Sequence, residues 1–345
     1  SSVAAFLLKE KGYEVVGVTM CFGLADSTRT RPNCCSVSSI EHAKRDAEQL
    51  EIRHYVLSFG KILEERVIKE FVSEYLNGRT PNPCIRCNQF LKFDRLLAKT
   101  RELSCDYLAT GHYAKIACGR NGEIFLRRAK DKSKDQSYFL FRLPREAAQF
   151  ILFPLGAYTK DEVRGIARAQ KLRTADKPGS QDICFIPDGD YKEFLKQRCG
   201  EKIMQPGPIK DTQGNVLGEH KGVMFYTIGQ RQGLGIAHEH PLYVKQILPK
   251  ANTIIVAAKQ DIYASTFEAE ALYVLAAKSL PKKLEVRVKI RYNHPQAQAT
   301  IVPLKGTKIR VEFHRPQWAI TPGQSAVFYH KDVVLGGATI EKILE

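Results

Sequence analysis

The chain changes its hydrophobic rhythm near residue 200, and no single-layer fold accommodates both halves. Before that point, apolar residues recur at helical spacing, as in Ile62, Val67, Ile68, Phe71, Val72, Tyr75 and Leu76, which end at Gly78. Short apolar runs lie between such stretches: Glu14 to Met20, His54 to Phe59 and Asp106 to Gly111. Helices alternating with short strands predict an α/β domain with a mainly parallel sheet. Ligands of such sheets bind at the carboxyl ends of strands, where Met20 and Gly111 would lie. The opening residues from Ser1 to about Lys11 read as a helix stopped by Gly12. Ser38 with Glu41, and Thr159 with Glu162, read as capping boxes, and residues 85–102 read as a further helix.

After residue 200 the periodicity becomes that of strands. Met224 to Ile228, Leu242 to Leu248 and Thr253 to Ala257 are short β-rich runs. Beyond residue 266 nearly everything alternates, as in Glu285 to Arg291, Lys308 to Phe313 and Ser325 to Tyr329, with glycine and proline between the runs. This pattern predicts a small β-barrel or sandwich.

Charge and cysteine usage narrow the partners. Fifty-three basic against 37 acidic residues give a formal charge of +16. The excess is spread as +8 over residues 1–188, +4 over 189–259 and +4 over 260–345. An extended basic surface suits a large polyanion such as nucleic acid. No apolar run reaches the roughly 18 residues of a membrane span, so the chain reads as soluble. Nine cysteines without a secretory signal read as catalytic, redox or metal-binding thiols in a cytoplasmic, reducing compartment. The chain starts at Ser1 in what already resembles a helix interior, and it reads as cut at that end.

Three stretches carry chemistry. In Gly78-Arg-Thr-Pro-Asn-Pro-Cys84-Ile-Arg-Cys87 the prolines set the backbone before a helix, so both thiols fall near its start. Unpaired N–H groups there, with Arg79 and Arg86, favour a reactive thiolate. Half a zinc site is the alternative for that stretch alone. In Ser180-Gln-Asp-Ile-Cys184-Phe the thiol is either buried filling or a partner for the first pair. Ser1 and Ser2 suit phosphate binding at a helix head, or simple capping. Arg120, Arg127, Arg128, Lys130, Lys132 and Lys134 form a basic run.

Together with Ala109-Thr-Gly-His-Tyr-Ala114, Lys134-Asp-Gln-Ser-Tyr-Phe-Leu140, Gly179 to Pro187, Phe225 to Leu234, Ile290-Arg-Tyr292 and Thr321 to Tyr329, these stretches resemble the tRNA-specific 2-thiouridylases (MnmA family) over essentially the whole chain. The family belongs to the PP-loop ATP pyrophosphatases. The resemblance implies an adenine-nucleotide-hydrolase-like, Rossmann-like parallel-sheet domain over 1–188. A small central tRNA-binding β-rich domain would follow over 189–264, and a C-terminal β-barrel over 265–345.

The resemblance also implies a reaction. ATP, with magnesium, adenylylates the C2 oxygen of the wobble uridine in tRNAs for Lys, Glu and Gln. A cysteine persulfide then supplies sulfur, charged by a cysteine desulfurase or sulfur-relay protein. The persulfide carrier matches Cys184 and the nucleophile Cys87, which close a disulfide during the cycle. Ser1, Ser2, Met20 and Gly111 match nucleotide positions. Asn82, Pro83 and Cys84 match the stretch contacting the target base. Lys134, Asp135, Gln136, His112, Arg291, Tyr292 and Gln324 match tRNA contacts.

Two departures stand out. Some members carry Asp where this chain has Cys84, which opens an iron–sulfur cluster on Cys84, Cys87 and Cys184 as an alternative. Of the family's Ser-Gly-Gly-x-Asp-Ser-Ser loop only Ser1 and Ser2 are present. A chain truly starting there would be an impaired, tRNA-binding protein.

Overall fold

Val16–Cys21 and Arg53–Ser58 pair in parallel, with Val16 opposite Arg53, and the helix Val37–Gln49 connects them. This is the expected strand–helix–strand unit. A computed structural model of the chain describes residues 1–23, 37–119, 123–173, 183–186, 189–276 and 281–344. Cys34, Cys35, Arg120 and Ser180 to Asp182 lie outside them.

The described residues divide into two compact bodies. The first comprises Ser1–Val67, Cys84–Gly189 and Asp332–Val334. It holds the parallel pair above, a second parallel pair of Leu108–Ala109 with Ile151–Leu152, and the antiparallel hairpin Ala114–Cys118 with Ile124–Arg128. The helix Ser2–Lys9 buries Val3, Ala4 and Leu8. Val3 and Ala4 share a core with Tyr113, Leu155, Val163 and Ala167. The helix Lys160–Ala169 begins with the expected capping box: Glu162 N donates to Thr159 Oγ1, and Thr159 N donates to Glu162 Oε2.

The helix expected over 85–102 runs from Pro83 to Glu102, but Cys87–Leu96 winds with wide, π-helical turns. The stretch expected over 61–77 behaves alike: Gly60–Leu63 and Lys69–Leu76 are α-helical, and Glu64–Ile68 between them is π-helical. Such turns add a residue to a helical loop and change which face a side chain occupies.

The second body comprises Ile68–Pro83, Asp190–Lys331 and Leu335–Glu345. Its central sheet runs in the order Val216–His220, Gly207–Lys210, Thr253–Ala258, Leu242–Leu248. Six further strands follow: Tyr263–Val274, Ile309–Trp318, Ala297–Pro303, Leu284–Lys289, Ser325–His330 and Val333–Leu344. The last pairs with the first, which closes a barrel. Closure removes the exposed edges of an open sheet. Inward residues Phe267, Val288, Ile301, Val311, Phe328 and Ile340 are at most 1% exposed and fill the interior. The barrel alternative is therefore realised, and the sandwich is not.

Three local expectations need correction. Met224 to Ile228 is not a strand: Val223–Phe225 forms a 3-10 turn. Gly222, at φ +130°, turns the chain there, and Val223, Met224 and Phe225 are buried within the turn. Ser38 lies inside the Val37–Gln49 helix and is not its cap. The strand before Gly111 is only Leu108–Ala109.

Candidate active site

Three sequence motifs of the first body meet in one region. Asn88, one residue beyond Cys87, is buried and donates from Nδ2 to the Phe139 carbonyl at 3.0 Å. That bond ties the cysteine-bearing helix to the Lys134–Leu140 motif. Gln136 N donates to the Tyr113 carbonyl at 2.8 Å, and Gln136 Oε1 accepts from Tyr113 N at 3.0 Å. Lys92 Nζ lies 3.4 Å from His112 Nε2, and Thr110 Oγ1 lies 2.7 Å from His112 Nδ1. Phe93 and Phe153 flank the imidazole. The helix, the Thr110–Tyr113 turn and the 134–140 stretch therefore form one connected wall.

Burial first, and the Lys92 ammonium second, hold the His112 pKa well below its ordinary value. The ring is neutral. Because an ammonium can only donate, Nε2 accepts from Lys92 and Nδ1–H donates to Thr110.

Cys84 lies in the first turn, Pro83–Arg86, and Cys87 opens the π-helical segment. Both are half-buried thiols, as is Cys184. Cys184 sits in a turn where Ile186 N donates to the Ile183 carbonyl, and Phe185 and Ile186 anchor that turn at 2% and 3% exposure. Among the described residues, no three His, Cys, Asp or Glu side chains are grouped so as to hold a metal ion.

The nucleotide candidates fall at strand ends as expected. Met20 is the penultimate residue of Val16–Cys21, and Gly111 follows Leu108–Ala109. A Cβ on Gly111 would lie 3.1 Å from the Ser1 backbone nitrogen, so these two positions abut. Ser2 has another tie: its hydroxyl donates to Asp46 Oδ2 at 2.6 Å, and Arg173 N donates to Asp46 Oδ1. Ser1 and Gly111 thus meet backbone to backbone just beyond a strand end, the place where ligands of parallel sheets bind.

Asp135 is 3% exposed and fully engaged. Arg128 Nε, the Ser137 hydroxyl, Ala129 N and Ser137 N all donate to its carboxylate. Lys134 beside it is exposed. Lys160 has a lowered pKa through burial, then through Arg164 and Lys134. Lys132 is likewise lowered by burial and by Arg128. Lys134, Lys160 and Arg164 thus repel one another, beside two carboxylates: Asp131, which accepts from Lys160 N, and Glu162, which pairs with Lys130. Lys160 and Arg164 went unseen in the sequence because they sit on a helix outside the basic run.

In the second body, Arg291 donates to the carbonyls of Ala319 and Trp318 and stacks over the Trp318 ring. Lys289 lies over the Tyr292 ring at 5.2 Å. Asn82 and Pro83 end the segment that this body contributes before Cys84. Gln324 Nε2 donates to the Thr80 carbonyl at 2.8 Å, so the Gln324 amide is tied to the Gly78–Pro83 stretch.

Comparison with known proteins matches the family model described as tRNA methyl transferase HUP domain over residues 1–188. The tRNA methyl transferase PRC-barrel domain matches 192–258, and the aminomethyltransferase beta-barrel domain matches 264–340. The chain is similar to the tRNA-specific 2-thiouridylase MnmA of Carboxydothermus hydrogenoformans, at 47% identity over 100% of this chain and 95% of the relative. The protein of that name from Moorella thermoacetica is also 47% identical, over 100% and 97%. The one from Lachnoclostridium phytofermentans is 44% identical, over 99% and 96%.

Proposed function

The chain belongs to the tRNA-specific 2-thiouridylase family, and from that membership we propose that it performs ATP-dependent 2-thiolation of the wobble uridine of tRNA. It is a tRNA sulfurtransferase. The observation that carries this reading is identity of 44–47% along the whole chain to relatives bearing that name.

The finer assignments are part of the proposal. The domains are 1–188, 189–264 and 265–345. The substrates are tRNAs for Lys, Glu and Gln, and the setting is cytoplasmic. Among the described residues, no helix is long and apolar enough to cross a membrane. A cysteine desulfurase or relay protein delivers sulfur. Met20, Gly111, Ser1 and Ser2 hold the nucleotide, with magnesium.

When bound, ATP would supply an adenylyl group to the C2 oxygen of uridine, with pyrophosphate leaving, and so make that oxygen a leaving group. The terminal sulfur of a persulfide on Cys184 adds to C2, and AMP departs with that oxygen. Cys87, as thiolate, attacks the Cys184 sulfur. The S–S bond breaks toward the sulfur on C2, a Cys87–Cys184 disulfide forms, and 2-thiouridine is released. A thiol reductant then restores both cysteines. Asn82, Pro83 and Cys84 line the target base, which is flipped from its stack. Lys134, Gln136, Arg291, Tyr292 and Gln324 hold the tRNA; His112, whose ring nitrogens are engaged by Lys92 and Thr110, and Asp135 act by shaping the wall and the loop that carries Lys134. The crowding of Lys134, Lys160 and Arg164 supports phosphate binding on that side.

The test is a reconstituted reaction with tRNA, ATP and a sulfur source, read by mass spectrometry of nucleosides. The protein is expected to make 2-thiouridine, while Cys184→Ser and Cys87→Ser make none. A methylated uridine, or undiminished product from Cys184→Ser, overturns the assignment.

A further inference from the structure

Three members of the basic run in the first body are matched by carboxylates. Arg127 pairs with Asp332, Arg128 with Asp135 and Lys130 with Glu162. Lys92 is different. It sits in the Cys87–Leu96 segment between Leu91 and Phe93, which are 0% and 1% exposed, and is itself half-buried. Its stem runs through an apolar layer and carries the ammonium inward. Among the described residues no carboxylate pairs with that ammonium, and its hydrogen-bond partner is His112 Nε2, at 3.4 Å.

His112 does not neutralise it. The imidazole is uncharged, held so by burial and then by Lys92. Thr110 Oγ1, at 2.7 Å, fixes the Nδ1 side, and Phe93 and Phe153 flank the ring. Both ring nitrogens are thereby engaged, so His112 has no donor left for a ligand. The ring acts instead as a fixed acceptor that aims one N–H of the ammonium, and an ammonium has two more. A half-buried cation without a counter-charge is costly, and an arriving anion offsets that cost. His112 directly follows Gly111, and both come just after the strand Leu108–Ala109, at the end where ligands of parallel sheets bind. Lys92, Gly111 and His112 all belong to the first body.

We propose that Lys92 is a binding residue for a phosphate group, aimed at it by His112 beyond the carboxyl end of the Leu108–Ala109 strand. A lysine ammonium is a compact point charge suited to phosphate. The inference rests on the functional reading for the source of that phosphate. The proposed reaction brings two sources, the nucleotide and the tRNA backbone. In either case Lys92 supplies the charge, and His112 acts through it.

The test is acetylation of lysines by an N-hydroxysuccinimide ester, read by peptide mass spectrometry. The probes are inorganic phosphate, AMP, adenosine and tRNA. Exposed Lys99, on the helix Leu97–Glu102, is the internal control. A phosphate held on the ammonium should slow acetylation of Lys92 and leave that of Lys99 unchanged. Protection by AMP and not by adenosine assigns the phosphate to the nucleotide. Protection by tRNA and not by AMP assigns it to the RNA backbone. Lys92→Met should bind the protecting probe about ten- to a hundred-fold more weakly, the loss of one hydrogen bond to a charged group. Lys92→Arg, which keeps the charge, should recover most of that affinity.

Equal acetylation of Lys92 with and without every phosphate-bearing probe overturns the proposal, because a lysine that only props His112 gives no probe-dependent footprint. Adenosine protecting as strongly as AMP overturns it too, since the phosphate would then be unnecessary. So does a folded Lys92→Met that binds the protecting probe as tightly as wild type. If Lys92→Met does not fold, the wild-type footprint decides by itself. Protection by inorganic phosphate requires no thiolation. A protein that makes no 2-thiouridine would therefore sink the functional reading and still decide the role of Lys92.

Discussion

His112, Asp135 and Arg79 show how little a residue's type says about its work. All three lie in motifs that read as substrate-facing, yet their polar atoms are engaged within the protein. For His112 the consequence is a pH dependence with a defined sign. In the unfolded chain its imidazole titrates near 6.5, whereas in the fold burial and then Lys92 hold it well below. Below pH 6.5 the unfolded state binds the extra proton, so this contribution to stability is present above 6.5 and is lost as pH falls beneath it. Wild type should show an unprotonated His112 by side-chain NMR at pH 6, and Lys92→Met should raise its pKa. Ordinary titration near 6.5 in wild type would refute the assignment. Asp135 accepts from four donors, so its carboxylate organises the loop on which Lys134 is exposed.

At the scale of elements, the helix that carries the thiols and the turn that grips its leading segment matter most. The helical period of residues 85–102 was plain in the sequence, because apolar spacing reports a buried stripe. The π-helical winding of Cys87–Leu96 was not, since an apolar stripe reports that a helix is buried and not where its turns widen. Met224 to Ile228 failed for the opposite reason: its apolar run is buried as a turn, and burial without a partner strand makes no sheet. Gly323 was visible only as one glycine among 24. Its φ of +89° and its approach to Thr80 make Gly323→Ala costly, by about 1–3 kcal/mol. Urea unfolding should show that loss. A variant as stable as wild type would argue against tight packing there.

Over the whole molecule, the +16 charge and its spread across all three proposed domains match a polyanion as large as tRNA. Each phosphate neutralised releases counterions, so affinity should fall steeply with salt. Replacing Lys134 or Lys160 by Met should reduce the log–log salt slope by about one each. Binding measured by fluorescence anisotropy across a salt series checks this, and an unchanged slope would remove those lysines from the interface. The sequence by itself determined the switch from α/β to β architecture, the polyanionic partner and the family, because periodicity, net charge and long motifs are properties of the chain alone. Only the tertiary structure decided that the six late strands close into a barrel, that Asp135 faces inward, and that Arg79 is spent on Glu74 and Glu341. Glu341 stands 262 positions from Arg79. No local pattern encodes such a pair, because an ion pair at that separation exists only once the barrel has closed its last strand against its first.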